Sequence, residues 1–138
     1  MNTNRKRSIK NIKRVPREGD IYFIEMNDHP VGREMQKERP CLLINKFEDG
    51  DMWEVAPAKR AGHKRYLKEN KNWVTLDYLG EKRAILFNQR NCVSSSRIGR
   101  YFGTITDNQF KTVCRKLTKF YYQKESRIRY QPDMDKAA

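Results

Sequence analysis

Residues 73–87 read WVTLDYLGEKRAILF, and the fold class is decided here. Val74, Leu76 and Tyr78 alternate with Trp73, Thr75 and Asp77, the period-two pattern of a half-buried strand. Gly80-Glu81-Lys82 is a turn signal. Ala84 to Phe87 is apolar and short, as a second buried strand would be. Two strands joined by a tight turn form an antiparallel pair, so the chain is expected to be mainly β around this hairpin.

Toward the N-terminus the same grammar recurs. Asp20 to Met26 (DIYFIEM) is apolar and β-rich and predicts a buried strand. Asn27 to Glu38 is a long polar connection with Pro30 and Gly32, and long connections in compact domains are often functional. Pro40 is placed to open a second strand, CLLINK, because a strand-initial proline leaves no ladder bond unmade. Glu48-Asp49-Gly50-Asp51 marks a turn, and Met52 to Ala56 predicts a third strand ended by Pro57. Lys59 to Lys71 reads as a strongly basic loop. Beyond the central hairpin, Cys92-Val93 forms a short extension and Tyr101 to Ile105 a last strand.

One helix closes the chain. Thr106-Asp107-Asn108-Gln109 fits a capping box, and Phe110, Val113, Cys114, Leu117 and Tyr121 follow at helical spacing. Short strands, long loops and a final helix predict a small closed β-barrel with a C-terminal α-helix packed on it. The domain is expected over residues 19–123, between a basic arm (1–18) and a polar tail (124–138) that frays.

The chain has 138 residues and a formal net charge of +13. Small domains are comfortable at a magnitude of about 2–8, so the excess points to an anionic partner (nucleic acid, an acidic protein or an anionic surface), with plain solubility as the other reading. Residues 2–17 contain seven Lys or Arg and no acid; a solvated tail and a strand laid on phosphates both fit that arm. Cys41, Cys92 and Cys114 form no CxxC pair and predict three reduced, packed thiols and a cytoplasmic protein. His29 and His63 lack ligand spacing, so no metal site is expected; His63 is a spare acid/base group in the basic loop. No segment is long and apolar enough to span a bilayer, and no cofactor motif stands in the chain.

An ordered set of segments carries a family resemblance. Gly19-Asp20-Ile21-Tyr22 looks like an opening strand. Gly32-Arg33-Glu34-Met35-Gln36-Lys37-Glu38-Arg39-Pro40 is similar to a loop in which Gly and Glu precede an Arg-Pro pair, and Pro40 to Ile44 matches the strand that follows it. Val55-Ala56-Pro57, Ser96-Arg97-Ile98-Gly99 and Gly103-Thr104-Ile105 continue the order. Together, over about residues 19 to 122, they resemble the PemK/MazF toxin family. The resemblance implies an SH3-like barrel of the CcdB/PemK-like kind that dimerises. It implies a sequence-selective endoribonuclease that cuts single-stranded RNA without metal, leaving 2′,3′-cyclic phosphate and 5′-hydroxyl ends. It also implies an acidic antitoxin whose C-terminal segment occupies the RNA groove. Four positions depart from the family pattern: Lys59 replaces a Thr that helps the reaction, Asn91-Cys92 replaces an Arg-Thr pair, and Arg33 replaces a Ser.

Cleavage of this kind needs a base for the 2′-hydroxyl proton, a cation for the extra charge on phosphorus and an acid for the leaving oxygen. By the resemblance, Glu34 is the base and Arg39 the phosphorane clamp; Lys59 is a second cation that can also give up a proton. Arg33, Lys37, Arg60, Lys64, Arg65, Gln89 and Arg97 are candidate RNA contacts. Tyr66 is a candidate base-stacking aromatic, whereas Trp73 is expected to cover the core. A Glu34–Arg39 pair also fits a plain surface ion pair, worth about 0–1 kcal/mol. A non-catalytic nucleic-acid-binding module on the same barrel, or a protein-binding domain gripping an acidic partner, therefore stays open beside the enzyme.

Overall fold

The computed structural model describes residues 14–25, 38–48, 50–62, 64–68 and 70–129. Seven strands appear in them: β1 (Asp20–Glu25), β2 (Glu38–Lys46), β3 (Met52–Arg60), β4 (Trp73–Tyr78), β5 (Glu81–Leu86), β6 (Asn91–Ser94) and β7 (Ile98–Thr104). A helical turn, α1 (Lys64–Leu67), precedes β4, and α2 (Asp107–Arg129) follows β7. The sheet is antiparallel in the order β4-β5-β3-β2-β1-β7, with β6 also paired to β3.

The mainly-β class with a C-terminal helix holds; the closed barrel does not. Among the described residues no ladder joins β4 to β7, so the sheet is open. Side chains bridge its outer edges instead. Tyr78 of β4 lies directly on Gly103 of β7, where a methyl group would overlap its hydroxyl, and its ring packs 5.9 Å from that of Phe102. A phenol ring in that gap holds the edges too far apart for backbone bonds, since paired strands lie about 4.8 Å apart.

The predicted strands form, with shifted ends. β2 begins at Glu38, so Pro40 sits inside it. β3 runs through Pro57 to Arg60, two residues into what reads as loop. On one edge of β3 the β6 ladder covers residues 52–55 and the β5 ladder covers 58–60. Pro57 falls in the gap between them, where a residue without an N–H is tolerated. The basic loop is thereby shortened, and its middle is the turn α1. The β4–β5 connection is the two-residue hairpin Leu79-Gly80, both with positive φ (49° and 78°), as a type I′ turn requires.

Strand alternation splits the apolar residues between two clusters. Ile21, Leu42, Ala56, Ala58, Val74, Leu76 and Ile85 face α2, which contributes Val113, Leu117 and Phe120. Tyr22, Ile24, Cys41, Leu43, Trp53, Val55 and Val93 pack on the other face. The capping box forms as read: Thr106 N–H donates to Gln109 Oε1 at 2.9 Å, and Gln109 N–H to Thr106 Oγ1 at 3.1 Å. The inward stripe differs by one step, because Phe120 is buried while Cys114 and Tyr121 are exposed. Each inward side chain of this size stabilises by roughly 1.5–3 kcal/mol. Tyr121 serves instead in a polar clasp. Arg90 Nε donates to Glu54 at 3.0 Å and Nη2 to the Tyr121 hydroxyl, which donates to Glu54 at 3.2 Å. The helix also continues to Arg129, past the predicted fraying point.

Of the cysteines only Cys41 packs; its thiol is pushed up to about 12 by burial. Cys92 and Cys114 are exposed, against the expectation of three packed thiols. At the N-terminal end, residues 14–18 are held by a buried carboxylate. Asp20 accepts from the Arg17 amide at 2.9 Å, from Thr104 Oγ1 at 2.7 Å and from Arg14 at 3.5 Å, while Arg14 also lies 4.4 Å over the Tyr101 ring. Residues 1–13 of the predicted arm lie outside the described residues, as do 130–138 of the tail. No helix of the described residues is long and apolar enough to cross a membrane.

Candidate nucleic-acid interface

The register of three strands gathers cations from distant parts of the chain. β2 and β3 pair through Cys41↔Pro57. Carried two residues further, past the end of the ladder, that register brings Arg39 level with Lys59, on the same face of the sheet. β3 and β5 pair as Lys59↔Ala84 and Arg60↔Arg83, so those two arginines stand directly opposite one another. Alternation gives Arg60 and Arg83 the other strand face from Arg39 and Lys59. One open pocket of about 560 Å³ reaches all four, and among the described residues no carboxylate lines it.

Its apolar walls explain why the cations are held there. α1 exists because Tyr66 is buried with Ala61, Ala84 and Leu86, its ring edge-on to Trp73 at 5.1 Å. Thr75 Oγ1 donates to the Tyr66 carbonyl at 2.6 Å, fixing the turn on β4. Lys59 Nζ lies 5.4 Å over the Tyr66 ring. On the opposite wall Phe23 and Phe102 meet edge to face at 5.5 Å, and both are half-buried. Arg100 covers the Phe23 ring at 4.6 Å.

Arg83 is the unusual member. Its side chain is 8% exposed, and Nη1 donates to the Ala58 carbonyl at 2.8 Å. The guanidinium lies 4.6 Å over Phe102, and its buried Nε has no hydrogen-bond partner among the described residues. Burial pushes its pKa down, Glu81 opposes that, and Arg60 pushes it down further. Glu81, half-exposed just outside the pocket, reaches Arg60 at 3.4 Å and Arg83 at 3.6 Å.

Of the residues singled out in the sequence, Arg39, Lys59, Arg60, Tyr66 and Gln89 line this pocket. Tyr66 is only 4% exposed, with Lys59 over its ring, so it forms a wall rather than an open stacking platform. Arg97 lies in the 3-10 turn Ser95–Arg97 before β7, and is not part of the pocket lining. Arg33, Glu34, Lys37 and His63 lie outside the described residues, and Lys64 and Arg65 are described only as backbone of α1. Trp73 packs against the Tyr66 cluster, as expected. Phe23, Arg83 and Phe102 are pocket residues that the sequence reading missed. The sequence reading began the strand at Ala84, whereas β5 begins at Glu81 and so includes Arg83.

Forked guanidiniums suit the planar charge of phosphate or carboxylate, and half-buried aromatics suit unpaired bases. The arrangement can therefore bind an extended polyanion and stabilise charge gathering on one of its groups. Among the described residues no cluster of His, Cys, Asp and Glu suits a metal ion. No curated protein matches the chain. The family model for the PemK-like, MazF-like toxin of type II toxin–antitoxin systems matches residues 17–121, from the pinned end of the arm to the helix clasp, and the chain belongs to that family.

Proposed function

We propose that the protein is an endoribonuclease that cleaves single-stranded RNA by attack of a 2′-hydroxyl on the adjacent phosphorus. The observation that carries the reading is the pocket in which Arg39, Lys59, Arg60 and Arg83 converge. Glu34, from the connection leading into β2, takes the 2′-hydroxyl proton. The new 2′-O–P bond forms as the bond from phosphorus to the 5′-oxygen breaks. Arg39 holds the non-bridging oxygens as charge builds on them, because a fixed guanidinium fork grips two oxygens at once. Lys59 supplies a second charge and is the pocket group able to hand a proton to the leaving 5′-oxygen. The products are a 2′,3′-cyclic phosphate and a 5′-hydroxyl, and no metal takes part. The same cationic surface accommodates an acidic antitoxin segment in competition with RNA, and the working unit is a homodimer.

A second reading is a non-catalytic nucleic-acid-binding module. It is favoured by Lys59, a cation where the family commonly has a hydroxyl. The two separate cleanly. Purified protein in EDTA should cut a long single-stranded RNA; Arg39→Ala should abolish cutting, and Lys59→Ala should slow it about 100-fold, as loss of one charge-stabilising donor does. A folded, nuclease-free preparation that binds RNA but cuts none removes the enzyme and leaves the binder.

A further inference from the structure

Arg60 and Arg83 form a directly opposed cross-strand pair of like charge, an arrangement that is unfavourable by itself. Burial adds to the penalty at Arg83: among the described residues its hydrogen bond runs from Nη1 to Ala58, and its buried Nε finds no partner. A sheet keeps such a pair when an anion sits between its members. The anion now present is Glu81, two residues before Arg83 on the same strand and hence on the same face. It fits poorly. Its contacts of 3.4 and 3.6 Å exceed the 2.7–2.9 Å of a well-formed charged bond, and it is 46% exposed.

We propose that Arg60 and Arg83 form a second phosphate subsite for the RNA backbone, in which Glu81 holds the place of a phosphate until RNA displaces it. The inference rests on the reading of the pocket as an RNA site and deepens it. Arg39 and Lys59 grip the phosphate that reacts, on one side of β3; Arg60 and Arg83 grip a neighbouring phosphate, on the other side. A phosphate brings more acceptor oxygens than the carboxylate, so it engages donors that Glu81 leaves idle. Glu81 in turn sets a threshold: weak or stray anions do not dislodge it, and a chain held at several points does.

The two partners should respond in opposite directions. Binding of a 2′-O-methyl RNA oligonucleotide, which cannot be cut, is measured by fluorescence anisotropy across a salt series. Glu81→Gln should bind several-fold tighter than wild type. Arg83→Met should bind more weakly, with the slope of log affinity against log salt shallower by about 0.7, the value for one phosphate contact on a single strand. A purely structural ion pair predicts otherwise: both changes would lower stability, and Glu81→Gln would tighten binding no more than Asp77→Asn, which removes an exposed acid outside the pocket lining. Should Arg83→Met fail to fold, the wild-type Arg83 Nε–H resonance, assigned with Arg83→Lys, should shift as the oligonucleotide is added. Glu81→Gln binding no tighter than wild type, or an unmoved Nε–H signal at saturation, overturns the subsite. If wild type binds and Arg39→Ala does not, while the Glu81 and Arg83 changes are silent, only the subsite falls. If wild type binds no RNA, the reading beneath it falls as well.

Discussion

Gly103→Ala should loosen the whole pocket wall from a position outside the pocket's lining. A Cβ built at Gly103 overlaps the Tyr78 hydroxyl and lies 2.6 Å from its Cζ and 3.4 Å from its Cε1. The ring has little room to retreat, because it tilts against Phe102, which itself supports Arg83 at 4.6 Å. Moving it gives up the polar contact between the Tyr78 hydroxyl and the Thr104 backbone, about 1 kcal/mol. Overpacking adds roughly 1–3 kcal/mol. The expected loss is therefore about 2–4 kcal/mol, read from the midpoint of urea unfolding with an unchanged slope. Tyr78→Phe removes the overlapping oxygen but leaves the ring carbon too close, so the double variant should recover part of the loss, with a coupling of about 1 kcal/mol. Gly103→Ala within about 0.5 kcal/mol of wild type, or strictly additive effects, would refute the side-chain bridge between the sheet edges.

Three further outcomes follow from the same packing. Leu79→Asn should stabilise by about 1 kcal/mol in thermal unfolding, since Leu79 is 82% exposed and sits at φ 49°, a conformation asparagine adopts more readily. Arg90→Met should cost about 3 kcal/mol, because it leaves the mostly buried Glu54 carboxylate without its cation. Alkaline unfolding should begin near the ordinary thiol value of 9.0 and steepen as pH approaches about 12. Burial raises the Cys41 thiol and the Tyr22 and Tyr78 hydroxyls, so across that range the folded chain holds protons that the unfolded chain has lost. Stability from these groups is complete below the unfolded values and is lost as pH rises. Cys41→Val should flatten the decline in a pH series of urea titrations.

How much of this was legible in the sequence depends on the range of the interaction. Local signals carried well: the Val74–Leu76–Tyr78 alternation and the Thr106–Gln109 capping box each depend on neighbours a few residues away, and both appear as read. Pro57 misled because its tolerance is decided by which strands lie on the far edge of β3, a property of the sheet and not of the segment. The helix stripe slipped from Tyr121 to Phe120 because Glu54 and Arg90, distant in sequence, claim the tyrosine hydroxyl. For the pocket, charge and family order pointed to Arg39, Lys59, Arg60 and Gln89. Arg83 stayed hidden, since a lone arginine in an apolar strand gains meaning only when the Arg60↔Arg83 register is known.

The central claim is that the pocket of Arg39 and Lys59 drives attack by the RNA's own 2′-hydroxyl. It is tested most directly by mapping the ends produced when purified protein cuts a defined single-stranded RNA in EDTA. Fragments ending in a 2′,3′-cyclic phosphate, with 5′-hydroxyl partners and no cutting where a 2′-deoxynucleotide is placed before the scissile bond, are the expected result. Fragments with 3′-hydroxyl and 5′-phosphate ends, or cutting that survives the 2′-deoxy substitution, would contradict it.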